Sequence, residues 1–158
     1  MVLLWKFRKG ECRDMREIKF RAWIKRKKEL LYLKGFRYSG TEKIKITFPD
    51  EDHDDCTYTY LKKDVVIEQF TGLHDKNGVE IYEGDILHLY GKDTINKYDW
   101  KAVVEFGNPN GLYSWGYQLD PITEFGFNTD ILAWIDMEEC GIYAEVIGNI
   151  HEVQKYEN

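Results

Sequence analysis

Asp50, Glu51, Asp52, Asp54 and Asp55 place five carboxylates around His53 in one short run. Hard oxygen ligands at this density suggest calcium, but calcium loops carry alternating ligands, a central glycine and a distal bidentate glutamate. That order is absent here. His53 and Cys56 stand three residues apart, as half of a zinc site would, yet no second close pair of His or Cys exists. The chain also lacks a glycine-rich phosphate loop, a His-Glu-x-x-His helix and a nucleophile elbow. Residues 49–56 therefore read as an acidic loop whose charges repel one another and bury nothing. No metal, no cofactor and no catalytic residue is expected, and the protein is not expected to be an enzyme.

A second constellation is basic and aromatic. Lys19, Arg21 and Trp23 alternate with Ile18, Phe20 and Ala22, and Lys25-Arg26-Lys27-Lys28-Glu29 follows as a charged turn. Cations beside an aromatic ring are what single-stranded nucleic acid uses, through backbone charge and base stacking. Lys19, Arg21, Trp23, Lys25, Arg26, Lys27 and Lys28 are thus candidate nucleic-acid contacts; the plainer reading is a solvated hairpin. The whole chain carries −6, but residues 1–48 hold 15 Lys/Arg against 5 Asp/Glu, and residues 49–158 hold 7 against 23. Net charges of +10 and −16 in one chain mark two differently used surfaces. Because the total is negative, a protein partner or a second copy of the chain is expected ahead of nucleic acid. Charge segregation of this kind suits assembly between copies.

The elements that position these residues are mostly strands. The 158 residues include 24 aromatics and 43% hydrophobic residues, an ordinary composition for a folded chain with a core of its own. No apolar run reaches the length of a membrane span. Val2-Leu3-Leu4-Trp5 is too short for a signal-peptide core. Three widely spaced cysteines argue against a disulfide framework and for a reducing cytoplasm.

Alternation and turn signals predict strands at 18–23, 30–33, 43–48, 57–61, 101–106, 112–119 and 143–150, with another turn and strand within 80–90. The return strand at Leu30–Leu33 is expected to end at Gly35. Asn77-Gly78 favours a tight turn, and 107–111 a hairpin loop. Asn128-Thr129-Asp130 is expected to cap a short helix running to Met137–Glu139, with Gly141 as its stop. Short strands, one short helix and abundant glycine predict a mainly β fold with a small barrel. Residues 15–63 form the basic N-terminal β region and 64–158 the barrel. Residues 1–14 read as an upstream extension. Lys9-Gly10-Glu11 can be encoded by a purine-rich ribosome-binding site at a workable distance from Met15, which makes Met15 the expected native start.

Three ordered blocks carry a family resemblance: Met15-Arg-Glu-Ile-Lys-Phe-Arg-Ala-Trp23, Gln69 through Ile86, and Glu145-Val-Ile-Gly-Asn-Ile-His-Glu152. Together they resemble the YopX family of small proteins from phages and prophages of Gram-positive bacteria. The resemblance implies a mainly β protein with an SH3-like C-terminal part, acting in the host cytoplasm. It brings no catalytic residues. His74 departs from the family's more usual Lys or Arg. Within the blocks, Thr71, Gly72, Asp75, Asn77, Gly78, Tyr82, Gly84, Asp85, Gly148 and Asn149 read as structural: glycines at bends, and short polar side chains bonding local backbone.

Overall fold

The computed structural model describes residues 17–50, 54–92, 97–107, 116–122, 129–131 and 141–153. The mainly β expectation holds. Three antiparallel sheets account for the strands described. The first has the order β2-β1-β6-β7, from β1 (Phe20–Ile24), β2 (Glu29–Leu33), β6 (Val65–His74) and β7 (Glu80–Tyr82). The second is the meander β3-β4-β5, from Gly35–Ser39, Lys43–Phe48 and Cys56–Leu61. The third runs β11-β10-β9-β8-β12, from β8 (Asp85–Lys92), β9 (Lys97–Gly107), β10 (Gly116–Pro121), β11 (Thr129–Asp130) and β12 (Ile142–Asn149). A 3-10 turn at Lys62–Asp64 leads into β6, and a helix α1 (Ile150–Val153) follows β12.

Two apolar clusters result. Ile81, Leu87, Leu89, Ala102, Val104, Leu119, Ile131 and Ala144 fill the face of the five-stranded sheet. Ala22, Ile24, Ile44, Ile46 and Val65 form the other, between the first two sheets. Each buried Val, Leu or Ile contributes roughly 1.5–3 kcal/mol over leaving it exposed. β1 lies between β2 and β6, with Arg21 opposite both Tyr32 and Glu68. The portions divided at 63/64 in the sequence share this sheet, since β6 pairs along the whole of β1.

Four sequence expectations change. Gly35 begins β3 instead of ending β2, so the chain re-enters a strand after Lys34 alone. Thr129–Asp130 is not a helix cap: the pair forms a strand against Gln118 and Leu119. The remainder of the expected helix, 132–140, lies outside the described residues, as do the hairpin loop at 108–111 and the extension 1–14. The strand expected through Ile150 ends at Asn149, and Ile150 opens α1. Finally, β1 has no wet face, as shown below.

Candidate functional site

The densest polar constellation is buried, and the signature blocks build it. β1 is an inner strand of a sheet covered on both sides. Its even residues Ala22 and Ile24 join the core against the β3-β4-β5 sheet. Its odd residues face the third sheet, so Arg21 is 4% and Trp23 8% exposed. Arg21 Nε donates to Glu68 Oε2 at 2.7 Å, and a terminal nitrogen donates to Asp85 Oδ1 at 2.6 Å and to the Glu83 carbonyl at 3.1 Å. The guanidinium lies 4.6 Å from the centre of the Tyr82 ring, a cation–π contact.

Both carboxylates are held from further sides. Asp85 Oδ2 accepts the Tyr82 N–H at 2.8 Å. Glu68 Oε2 accepts from Asn149 Nδ2 at 3.2 Å, and Oε1 lies 2.9 Å from His151 Nε2. The His151 backbone N–H donates to Asn149 Oδ1 at 2.9 Å, and the His151 ring stacks on Trp23 at 5.1 Å. A register shift between Val146 and Gly148 bends β12 so that Gly148 pairs with Ile86 and Asn149 with Asp85, which brings Asn149 over the cluster. Gly84, at φ +78°, passes so close that a Cβ there would sit 2.4 Å from Glu68 Oε1.

Burial opposes charge on Arg21, Asp85 and neighbouring Glu83. Burial alone would lower the Arg21 pKa, but the Asp85 and Glu68 charges outweigh it and hold the pKa above its ordinary value. Burial raises the Asp85 pKa, and Arg21 and the Tyr82 N–H offset this only in part. Glu83 is likewise pushed up by burial, although its side chain accepts the Gln69 N–H. The arrangement is an ion cluster whose hydrogen bonds are directed at its own members and the backbone. It fastens β1, β6, the 82–85 turn and the β12–α1 junction to one another.

The remaining signature residues also bond inward. Thr71 Oγ1 donates to the Ile81 carbonyl at 2.7 Å and accepts the Leu73 N–H, while Gly72 takes φ +88° in the irregular stretch of β6. Asp75 accepts three backbone N–H groups: Asn77 and Val79 at Oδ1, and Val146 at Oδ2. The last of these ties the turn, closed by Gly78, to the edge of the third sheet.

Tyr82 packs with the core while its hydroxyl donates to Glu80 Oε2 at 2.8 Å. Burial, and then this bond, raise its pKa beyond the tyrosine range. A raised folded pKa means the stabilisation is complete below the unfolded value near 10 and is lost as pH rises past it. The folded protein at about pH 11 should therefore show the same tyrosinate absorbance at 295 nm with or without Tyr82→Phe. Loss of one phenolate's signal from the folded variant would contradict this protonation state.

The nucleic-acid candidates are dispersed. Arg21 and Trp23 are buried, which corrects the solvent-facing strand expected for them. Charged residues at period two look wet until the strand proves to be central, with partners 47 to 64 positions away in sequence. Lys19 pairs with Glu80 and Glu17, Arg26 with Asp64 at 3.2 Å and Lys27 with Glu29 at 4.0 Å. Lys25 and Lys28 are exposed in the β1–β2 turn. Of the acidic loop, 51–53 lie outside the described residues. Asp55 binds Lys34, and Asp50 accepts from the Cys56 thiol at 3.2 Å. Sequence reasoning missed Glu68 and His151. The signal was Trp23: a tryptophan on the same strand face as Arg21 argues for a covered face.

Compared with known proteins, the chain matches the YopX protein family over residues 19–155. The chain belongs to the YopX family. The crystal structure of protein EF1440 from Enterococcus faecalis resembles this YopX chain with a TM-score of 0.50 and 24% identity, over 91% of this chain and 100% of that one. That likeness concerns the fold. No curated protein matches. No helix among the described residues is long and apolar enough to cross a membrane.

Proposed function

We propose that this YopX protein acts by binding, without catalysing a reaction, as an accessory or regulatory protein of phage or prophage origin in the host cytoplasm. In this reading its C-terminal sheet is the SH3-like scaffold and its partner is an anionic macromolecule met by the basic N-terminal region. One observation carries it. Arg37 on β3 stands directly opposite Lys45 on β4, and neither forms an ion pair with a described residue. Like charges directly opposite on neighbouring strands destabilise a sheet by up to about 1 kcal/mol. An anionic partner turns that repulsion into attraction. Arg21, by contrast, is saturated inside the fold.

An acidic protein, a second copy or a nucleic acid would each supply the anion. The test is retention on immobilised heparin. Despite the −6 total, the protein should be retained at about 50 mM NaCl and released as salt rises to about 0.5 M. Flow-through at low salt would overturn the reading.

A further inference from the structure

The outer face of β3-β4-β5 has a composition of its own. Ile44 and Ile46 are buried, and Phe36 and Tyr60 pack beside them, so the alternate residues of all three strands face outward. The register places Arg37 beside Lys45, Ser39 beside Lys43, Lys45 beside Thr59, and Thr47 beside Thr57. The face is therefore three cations and four hydroxyls. Arg37, Lys43, Thr57 and Thr59 are exposed, and Ser39, Lys45 and Thr47 are half-buried.

Its single apolar member is Leu61, half-buried opposite Lys43. Exposed Lys62 and Lys63 follow directly on β5, and exposed Glu42 is the nearest carboxylate in sequence. The acidic loop joins β4 to β5 at the other end of the face, where Asp55, two residues before Thr57, is paired with Lys34. Asp50 is five residues beyond Lys45, roughly 17 Å along an extended chain.

We propose that this face binds the sugar–phosphate backbone of a nucleic acid without reading its bases. The proposal rests on the binding reading above and names its partner. Arg, Lys, Ser and Thr are the side chains that contact phosphate and sugar, and these contacts position a duplex without specifying sequence. No aromatic side chain lies on the face, so base stacking has no platform there. An acidic protein meets the same charges, but stable protein interfaces need a desolvated apolar or aromatic anchor, and this face offers none. A polyanion held by charge alone does not require one.

Fluorescence anisotropy with a labelled 20-base-pair DNA duplex and a 20-nucleotide RNA tests the proposal. The wild type should bind at least one with a dissociation constant on the order of 10 µM at about 50 mM NaCl. Neutralising three phosphates gives a log–log salt slope of about −3 on duplex. Arg37→Thr/Lys43→Thr/Lys45→Thr, which keeps residues that strands tolerate, should weaken binding more than tenfold. Arg37→Lys/Lys45→Arg should retain it. Lys25→Ser/Arg26→Ser/Lys27→Ser/Lys28→Ser should change it less than threefold. A triple variant that melts like the wild type and binds as tightly overturns the proposal. Retention on heparin without binding to either nucleic acid overturns it in favour of an acidic protein partner. Failure on heparin as well overturns the broader reading.

Discussion

Arg21→Met will destabilise the protein by about 3–5 kcal/mol in urea unfolding at neutral pH, because it leaves Glu68 and Asp85 buried without their cation. For a chain of this size that is a fall in Tm of roughly 6–20 °C. Side-chain volume is nearly kept, so a cavity does not account for the loss. The pH dependence separates charge from packing. In the variant Asp85 meets burial without Arg21, so its folded pKa rises further above the unfolded one. A group whose folded pKa is raised costs nothing below its unfolded pKa, and its penalty grows as pH rises towards the folded pKa. The deficit against wild type should be largest near pH 7.5 and should shrink towards about pH 4.5. A deficit equal at both would mean that Arg21 acts through shape alone.

Gly84→Ala should cost about 2–4 kcal/mol through two separable effects. At φ +78° any L side chain is strained, by about 1–2 kcal/mol. The new methyl would also meet Glu68 Oε1 at 2.4 Å and Asn149 Nδ2 at 3.2 Å, which forces Glu68 away from Arg21. Residues that share a partner do not add. In a Glu68→Ala background the Gly84→Ala penalty should fall to the backbone part plus the lesser contact with Asn149 Nδ2. The same penalty in both backgrounds would show that the close approach plays no part.

Strands whose two faces differ were legible in the sequence. Lys43–Phe48 alternates Lys, Ile, Lys, Ile, and its observed bounds are those read from that pattern. The β1–β2 turn was nearly as plain from its unbroken charge, although Glu29, read as its last residue, opens β2. Gly35 misled because glycine punctuates strands more often than it opens them. Thr129–Asp130 carries good capping residues, yet pairing with Gln118 and Leu119 overrides local propensity.

The buried cluster was only half legible. Thr71 and Asp75 could be read as turn makers because part of their bonding is local, to Leu73, Asn77 and Val79, two to four residues away. Arg21 could not, because its partners are Glu68 and Asp85, brought alongside by two separate strand pairings. Similarly, the outward face of β3-β4-β5 needs a register that puts Arg37 beside Lys45, and Gly35 had hidden β3.

The most direct test concerns whether the polar core is scaffold or site. Arg21→Met/Glu68→Gln/Asp85→Asn removes all three central charges together while leaving donors and acceptors for His151, Asn149 and Tyr82. Replacing a whole buried ion cluster by well-packed apolar residues is often neutral or stabilising, and the two amides here keep the acceptors that His151, Asn149 and Tyr82 use. This triple variant should therefore melt close to the wild type and bind the 20-base-pair duplex within about twofold of it. A variant that stays folded but loses more than tenfold in binding would show that the cluster itself, not the outer basic sheet, is where this YopX protein meets its partner.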